Sequence, residues 1–314
     1  MSISMELATS TWKPKHQQPD ILNHIGNTPL IELRNITKHL SPDVRIFAKM
    51  EAFNPGGSVK DRPAFRMIQK GEESGHLTPD KTIMDATSGN TGIALAMIGA
   101  SKGYQVELVM PENISQERKI ILKAYGAKCI YSDPLDGSDG AILLAKEIRK
   151  QDPEKYFVPD QYNNPENWKA HYYGTAEEII RDTEGKVTHF LACVGTSGTL
   201  VGNSLRLKDF NPNIKTFGIQ PSEPFHGLEG LKHIESSIVP GIYDMSFEKD
   251  TIFVGTDESY DMIRRIAREE GLFVGLSSGG AMVGALKYAE TLTEGIVVTI
   301  FPDNGEKYFS SRLW

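Results

Sequence analysis

The 314-residue chain has only two cysteines, Cys129 and Cys193, with no CxxC pair and no histidine at ligand spacing from either. A disulfide scaffold or a structural zinc site needs more than that, so both thiols read as structural groups in apolar stretches. The eight histidines are scattered, and no metal site is expected. Basic clusters are also missing and the formal net charge is −7, which removes the electrostatic footprint of a nucleic-acid or anionic-membrane partner. No apolar run reaches the roughly 18 residues that a membrane span requires. Residues 1–20 (MSISMELATSTWKPKHQQPD) lack the apolar core of a signal peptide, so the expected location is the cytoplasm.

What is present is an ordinary globular composition, 39% hydrophobic and 24% charged, with 29 glycines and 17 prolines. The length exceeds the ~100–200 residues of a single core, so two lobes with a cleft are expected, an arrangement suited to a small-molecule enzyme. Residues 1–20 carry Pro14 and Pro19 without periodicity and read as a mobile arm. Beyond them strand, glycine-rich turn and helix repeat. Thr82 to Ala86, Val106 to Met110 and Ala127 to Tyr131 read as strands, with helices over Thr91 to Lys102 and Ser115 to Tyr125. After Pro153 strands are expected over His189 to Val194, Thr216 to Gln220 and Gly295 to Phe301, and helices over Thr199 to Leu207, Glu258 to Glu270 and Ser278 to Thr291. Such alternation predicts an α/β fold of mostly parallel sheets flanked by helices, with ligands at the carboxyl ends of the strands.

Four glycine-rich turns precede helices, where backbone N–H groups and the helix dipole favour anions. Residues 54–62 (NPGGSVKDR) place Lys60 just after a tight turn, as either a cleft lysine or a solvated one. Residues 87–92 (TSGNTG) concentrate Thr87, Ser88, Asn90 and Thr91 in one turn, which suits a carboxylate and equally suits a helix N-cap. Residues 195–199 (GTSGT) follow a strand and open a helix, the geometry of a phosphate nest. This turn has neither the GxxxxGK[ST] nor the GxGxxG spacing, which argues against an ATPase or a dehydrogenase. Residues 275–280 (GLSSGG) offer Ser277 either to a ring nitrogen or as a plain cap.

Taken in order, NPGGSVKDR, TSGNTG, GTSGT and GLSSGGA resemble the cysteine synthase and cystathionine β-synthase group of fold type II pyridoxal-phosphate (PLP) enzymes. The resemblance runs from residues 25–30 (IGNTPL) to residues 305–308 (GEKY), nearly all of the chain beyond the arm. It implies a two-lobe, tryptophan synthase β-like fold with PLP between the lobes. The smaller lobe is expected over 54–164, and the larger over 21–53 and 165–314. It also implies that Lys60 carries PLP as a Schiff base, that Asn90 contacts the ring's 3′-oxygen, that Gly195, Thr196, Ser197, Gly198 and Thr199 hold the phosphate, and that Ser277 faces the pyridine nitrogen. Thr87, Ser88, Asn90, Thr91 and Gln161 would hold the substrate carboxylate. Ser197 stands where a glycine is common in the group.

The implied activity is synthesis of L-cysteine from O-acetyl-L-serine and sulfide by β-replacement through an α-aminoacrylate. Lys60 would serve as the base for the α-proton, and closure of the smaller lobe would exclude water. A neutral Ser277 hydroxyl would not hold the pyridine nitrogen protonated as an aspartate would, which favours elimination over transamination. O-phosphoserine is a rival substrate, with Lys232 and His226 as candidate cations for its leaving group. Cystathionine β-synthase and serine or threonine dehydratase are rival activities; cystathionine synthesis ranks lower because nothing extends past Trp314 and no N-terminal Cys/His pair suits haem. A homodimer and a serine acetyltransferase partner are expected from the resemblance alone. A role as a mere binding partner is disfavoured because Lys60, Asn90, Gln161 and Ser277 are all retained.

Overall fold

A computed structural model describes residues 20–87, 89–244, 246, 250–311 and 313. The expected arm, apart from Asp20, and the candidate Ser88 therefore lie outside the described residues.

The chain order is β1 (Leu30–Glu32), β2 (Asp43–Met50), α1 (Asp61–Glu73), β3 (Thr82–Ala86), α2 (Asn90–Lys102), β4 (Gln105–Pro111), α3 (Gln116–Ala124), β5 (Lys128–Ser132), α4 (Gly137–Gln151) and β6 (Tyr156–Phe157). It continues through α5 (Glu166–Ala170), α6 (Ala176–Asp182), β7 (His189–Cys193), α7 (Gly198–Phe210), β8 (Lys215–Pro221), β9 (Thr251–Val254), α8 (Thr256–Arg265), α9 (Leu276–Ala289) and β10 (Glu294–Phe301). The strands form two sheets, β1-β2-β10-β7-β8-β9 and β5-β4-β3-β6. Every pairing is parallel except β1 with β2 at the edge. Parallel strands need crossover helices, which cover both faces and leave the central strands apolar throughout; β3 is buried over its first four residues and β4 over its last six.

Each sheet has its own apolar core. Ile83, Leu95, Ile98, Leu108 and Met110 centre the four-stranded one, while Ile46, Leu191, Ile219, Val297 and Phe301 belong to the six-stranded one. Helix α9 is buried on almost every face. A Cβ on Gly279 would lie 2.2 Å from the Ser259 carbonyl oxygen, so only glycine lets α9 sit this close to α8. Among the described residues no helix is long and apolar enough to cross a membrane.

One helix differs from the sequence expectation. The helix expected over Glu258 to Glu270 is α8 followed by a π-helical turn, Ile266–Glu270. Helix α1 opens at Asp61 with Lys60 at its cap, just after the tight turn. Strand β2 has little sequence signal, because it carries Arg45 and Lys49 among its apolar residues. Lys49 is nevertheless fully buried, held by Glu178 and Asp182 at 2.9 Å each.

Candidate active site

The turn before α1 is held from three directions. The Gly56 N–H donates to Asp61 Oδ2 at 2.5 Å, the Val59 N–H donates to the Pro302 carbonyl at 2.8 Å, and Lys307 Nζ donates to the Gly56 and Gly57 carbonyls. Next in the chain, Arg62 is buried between two carboxylates, with Nε 2.6 Å from Glu51 and Nη1 2.6 Å from Glu178. These bonds anchor the start of α1 and present Lys60 on a cavity wall. Burial pushes the Lys60 ammonium below its ordinary range, opposed by the fields of Asp303, Cys193 and Glu51. The shift favours the neutral amine, the form that acts as nucleophile or base.

The turn after β3 faces the same cavity, and the Asn90 amide is fixed from both ends. Its Nδ2 donates to Asp303 Oδ2 at 2.7 Å, and its Oδ1 accepts from Lys307 at 2.9 Å. The Thr91 hydroxyl donates to Gln161 Oε1 at 2.9 Å, and Gln161 Nε2 donates to Asp85 Oδ2 at 3.2 Å. Burial, helped by the nearby Asp160 charge, pushes Asp85 up to about 7. Asp85, Asp303 and Lys307 were not anticipated as site residues; their partners are more than 70 positions away, beyond any local pattern.

The 195–199 turn leads into α7. The first helical bond in which the turn takes part runs from the Val201 N–H to the Ser197 carbonyl, so the N–H groups before it are free to face an anion. The turn is braced from behind by α5 and the π-helical turn that follows it. Asn167 Nδ2 donates to the Thr196 hydroxyl at 3.1 Å, and His171 Nε2 lies 3.3 Å from the Thr199 hydroxyl. Burial pushes His171 far below its ordinary range, so it is a neutral hydrogen-bonding partner. A Cβ on Gly198 would meet Asn167 Oδ1 at 2.0 Å. Ser197 takes a left-handed backbone, φ +72°, which explains why glycine would suit this position, and its Oγ is buried without a partner among the described residues.

Lys60, Thr87, Asn90, Thr91, Gln161, Gly195, Thr196, Ser197, Thr199 and Ser277 line one cavity of about 470 Å³. Gly198 is not on the lining. Lys232 lines the cavity and His226 does not. Cys193, read as purely structural, also faces this space, and burial pushes its thiol up to about 12.

The pyridoxal-phosphate dependent enzyme family matches residues 21–303. The chain belongs to this family. Among the relatives of this PLP enzyme, the cysteine synthase of Aquifex aeolicus is 52% identical over 94% of this chain and 91% of its own length. The cysteine synthase B of Pseudomonas aeruginosa is 42% identical over 95% and 98%. The solved cysteine synthase of Entamoeba histolytica superposes with a TM-score of 0.91 at 38% identity, covering 100% of this chain and 94% of its own. The cavity suits PLP on its own terms. It pairs a buried lysine whose proton affinity is lowered with a helix-opening nest whose Ser197 Oγ is an unspent buried donor among the described residues, and its volume falls in the roughly 300–1,000 Å³ range of small-ligand pockets.

Proposed function

We propose that this PLP enzyme makes L-cysteine from O-acetyl-L-serine and sulfide by β-replacement. The observation that carries the reading is the convergence of four loops, far apart in the chain, on one cavity around the buried amine of Lys60. Lys60 would hold the cofactor, the N–H groups of Gly195 to Thr199 with the Ser197 hydroxyl its phosphate, and Ser277 its ring nitrogen. Bound PLP supplies an electron sink for the substrate's α-carbon.

The chain's own residues do the rest. The Thr87 to Thr91 turn and Gln161 bind the substrate carboxylate through hydroxyl, amide and backbone donors. With its two known partners in place, the Asn90 amide keeps one Nδ2 hydrogen for the cofactor's 3′-oxygen. Lys60 Nζ, whose hold on a proton is weakened by burial, would take the Cα proton and later return it. Ser277 opens α9 and presents a neutral hydroxyl, which does not hold a protonated ring nitrogen as a carboxylate would. Residues 54–164 would form the lobe that closes over the carboxylate and excludes water.

O-phosphoserine-dependent synthesis, cystathionine synthesis and dehydration are not favoured by the relatives. A homodimer, a cytoplasmic location and docking of a serine acetyltransferase are further parts of the reading, supported by family resemblance.

The test is the visible absorption spectrum of PLP-loaded protein before and after O-acetylserine, together with a cysteine assay. Wild type should show a lysine-linked cofactor band that O-acetylserine shifts, and Lys60→Ala should lack it and lose roughly 10²–10⁴-fold in rate. A band shifted only by O-phosphoserine or serine would refute the substrate, and a protein that cannot be loaded with PLP would refute the whole reading.

A further inference from the structure

Arg118, in the first turn of α3, is only 6% exposed and lines the cavity. Its Nη2 is 2.5 Å from Glu229 Oε2. Glu229 lies between β8 and β9, so the pair links the wall carried by the four-stranded sheet to the wall carried by the six-stranded one. The guanidinium also lies 5.4 Å over the Tyr308 ring. Its Nε is buried and has no hydrogen-bond partner among the described residues. An unspent donor on a buried cation is costly, and it gives this wall the capacity for one more acceptor. Arg118 and Lys60 line the same cavity, so the guanidinium and the reacting amine share one space.

The other cations on the lining are differently disposed. Lys60 is driven towards its neutral form, and Lys232 sits 5.3 Å over the Tyr162 ring. Among the described residues neither is ion-paired by a carboxylate. Arg118 is the cation with a planar fork, which matches phosphate bidentately, and it is the one a carboxylate covers.

We propose that Glu229 is a specificity-determining residue for the leaving group: by occupying Arg118 it withholds the guanidinium from a dianionic phosphate and leaves the cavity suited to a neutral ester. This rests on the reading above, in which the β-substituent of O-acetylserine departs into this cavity. Neutralising Glu229 uncovers a preformed phosphate fork, and the cost of the buried, half-satisfied cation then drives anion binding.

The experiment compares PLP-loaded wild type, Glu229→Gln and the double variant Glu229→Gln/Arg118→Gln. One readout is kcat/KM for O-phosphoserine relative to O-acetylserine, and the other is calorimetric binding of inorganic phosphate. Glu229→Gln should raise the substrate ratio and phosphate affinity by about tenfold or more, the discrimination one charge-assisted hydrogen bond supplies, and the double variant should lose both gains. An unchanged ratio and unchanged phosphate affinity in Glu229→Gln alone overturn the proposal, as does a gain that survives loss of Arg118. Glu229 is half-exposed, so the single variant is decisive even if the double variant does not fold. If no form turns over either substrate, the proposed activity fails instead, and phosphate calorimetry still reads whether Glu229 masks Arg118.

Discussion

Asp85 provides a test of the site's electrostatics that does not depend on catalysis. Its carboxyl ends β3 beneath the substrate turn, accepting from the Ala86 N–H at 2.9 Å and from Gln161 at 3.2 Å, and neither donor is charged. Burial is the main reason it titrates at about 7 rather than 3.8. The sign follows from linkage. An unfolded chain releases this proton near 3.8, whereas the folded protein retains it until about 7. Stability from this group is therefore complete below 3.8 and is lost as pH rises through 7. Over that interval the loss is at most ~4 kcal/mol, taking 1.36 kcal/mol per decade. Asp85→Asn removes the titration. It should leave stability nearly unchanged at pH 4 and raise it at pH 8, by roughly 8 °C at most in melting temperature for a chain this large. Thermal melts of both proteins at the two pH values, without substrate, are the assay. A stabilisation equal at both pH values, or a loss at pH 8 larger than at pH 4, would refute a protonated buried Asp85.

Arg62→Met should destabilise the fold by about 3–5 kcal/mol in denaturant melts, because it strands Glu51 as a buried unpaired charge and leaves Glu178 with Lys49 alone. Glu178 is held down to about 2 from 4.5 against the penalty of its own burial, chiefly by its hydrogen bonds and charge pairing with Arg62. Its contribution is thus present above 4.5 and lost as pH falls towards 2, and acid unfolding of the variant should begin at higher pH. Ser197→Gly should raise the melting temperature of the cofactor-free protein, by relieving ~1 kcal/mol of left-handed strain. The same variant should weaken PLP binding severalfold by deleting the unspent hydroxyl; tighter binding would show that Ser197 Oγ does not face the phosphate.

The sequence alone carried the fold class and the family, because both rest on local order. Alternation of short apolar runs with helices demands crossover connections and parallel sheets, and those sheets are found in the structure. The ordered glycine-rich turns are also local, since backbone N–H groups, φ > 0 positions and helix starts are written into a few consecutive residues. That is why Lys60, Asn90, the 195–199 turn and Ser277 were all legible as candidates before their meeting in one cavity was known.

What surrounds those loops was decided by tertiary structure. Asp303 and Lys307 orient Asn90 from more than 200 positions away. Asn167 and His171 brace the phosphate turn from a short helix and a π-helical turn without a chemical motif of their own. Lys49 and Arg62 carry no local signal of burial, yet carboxylates from α6 and from the segment after β2 enclose them. A charge or an amide has no periodicity that announces its partner; its ionisation and orientation depend on what the fold removes from water and sets beside it. The sequence therefore determined which loops carry the chemistry, and only the meeting of segments far apart in the chain decided how burial weakens the hold of Lys60 on its proton, how Asp85 titrates at about 7 and how Arg118 comes to face Glu229.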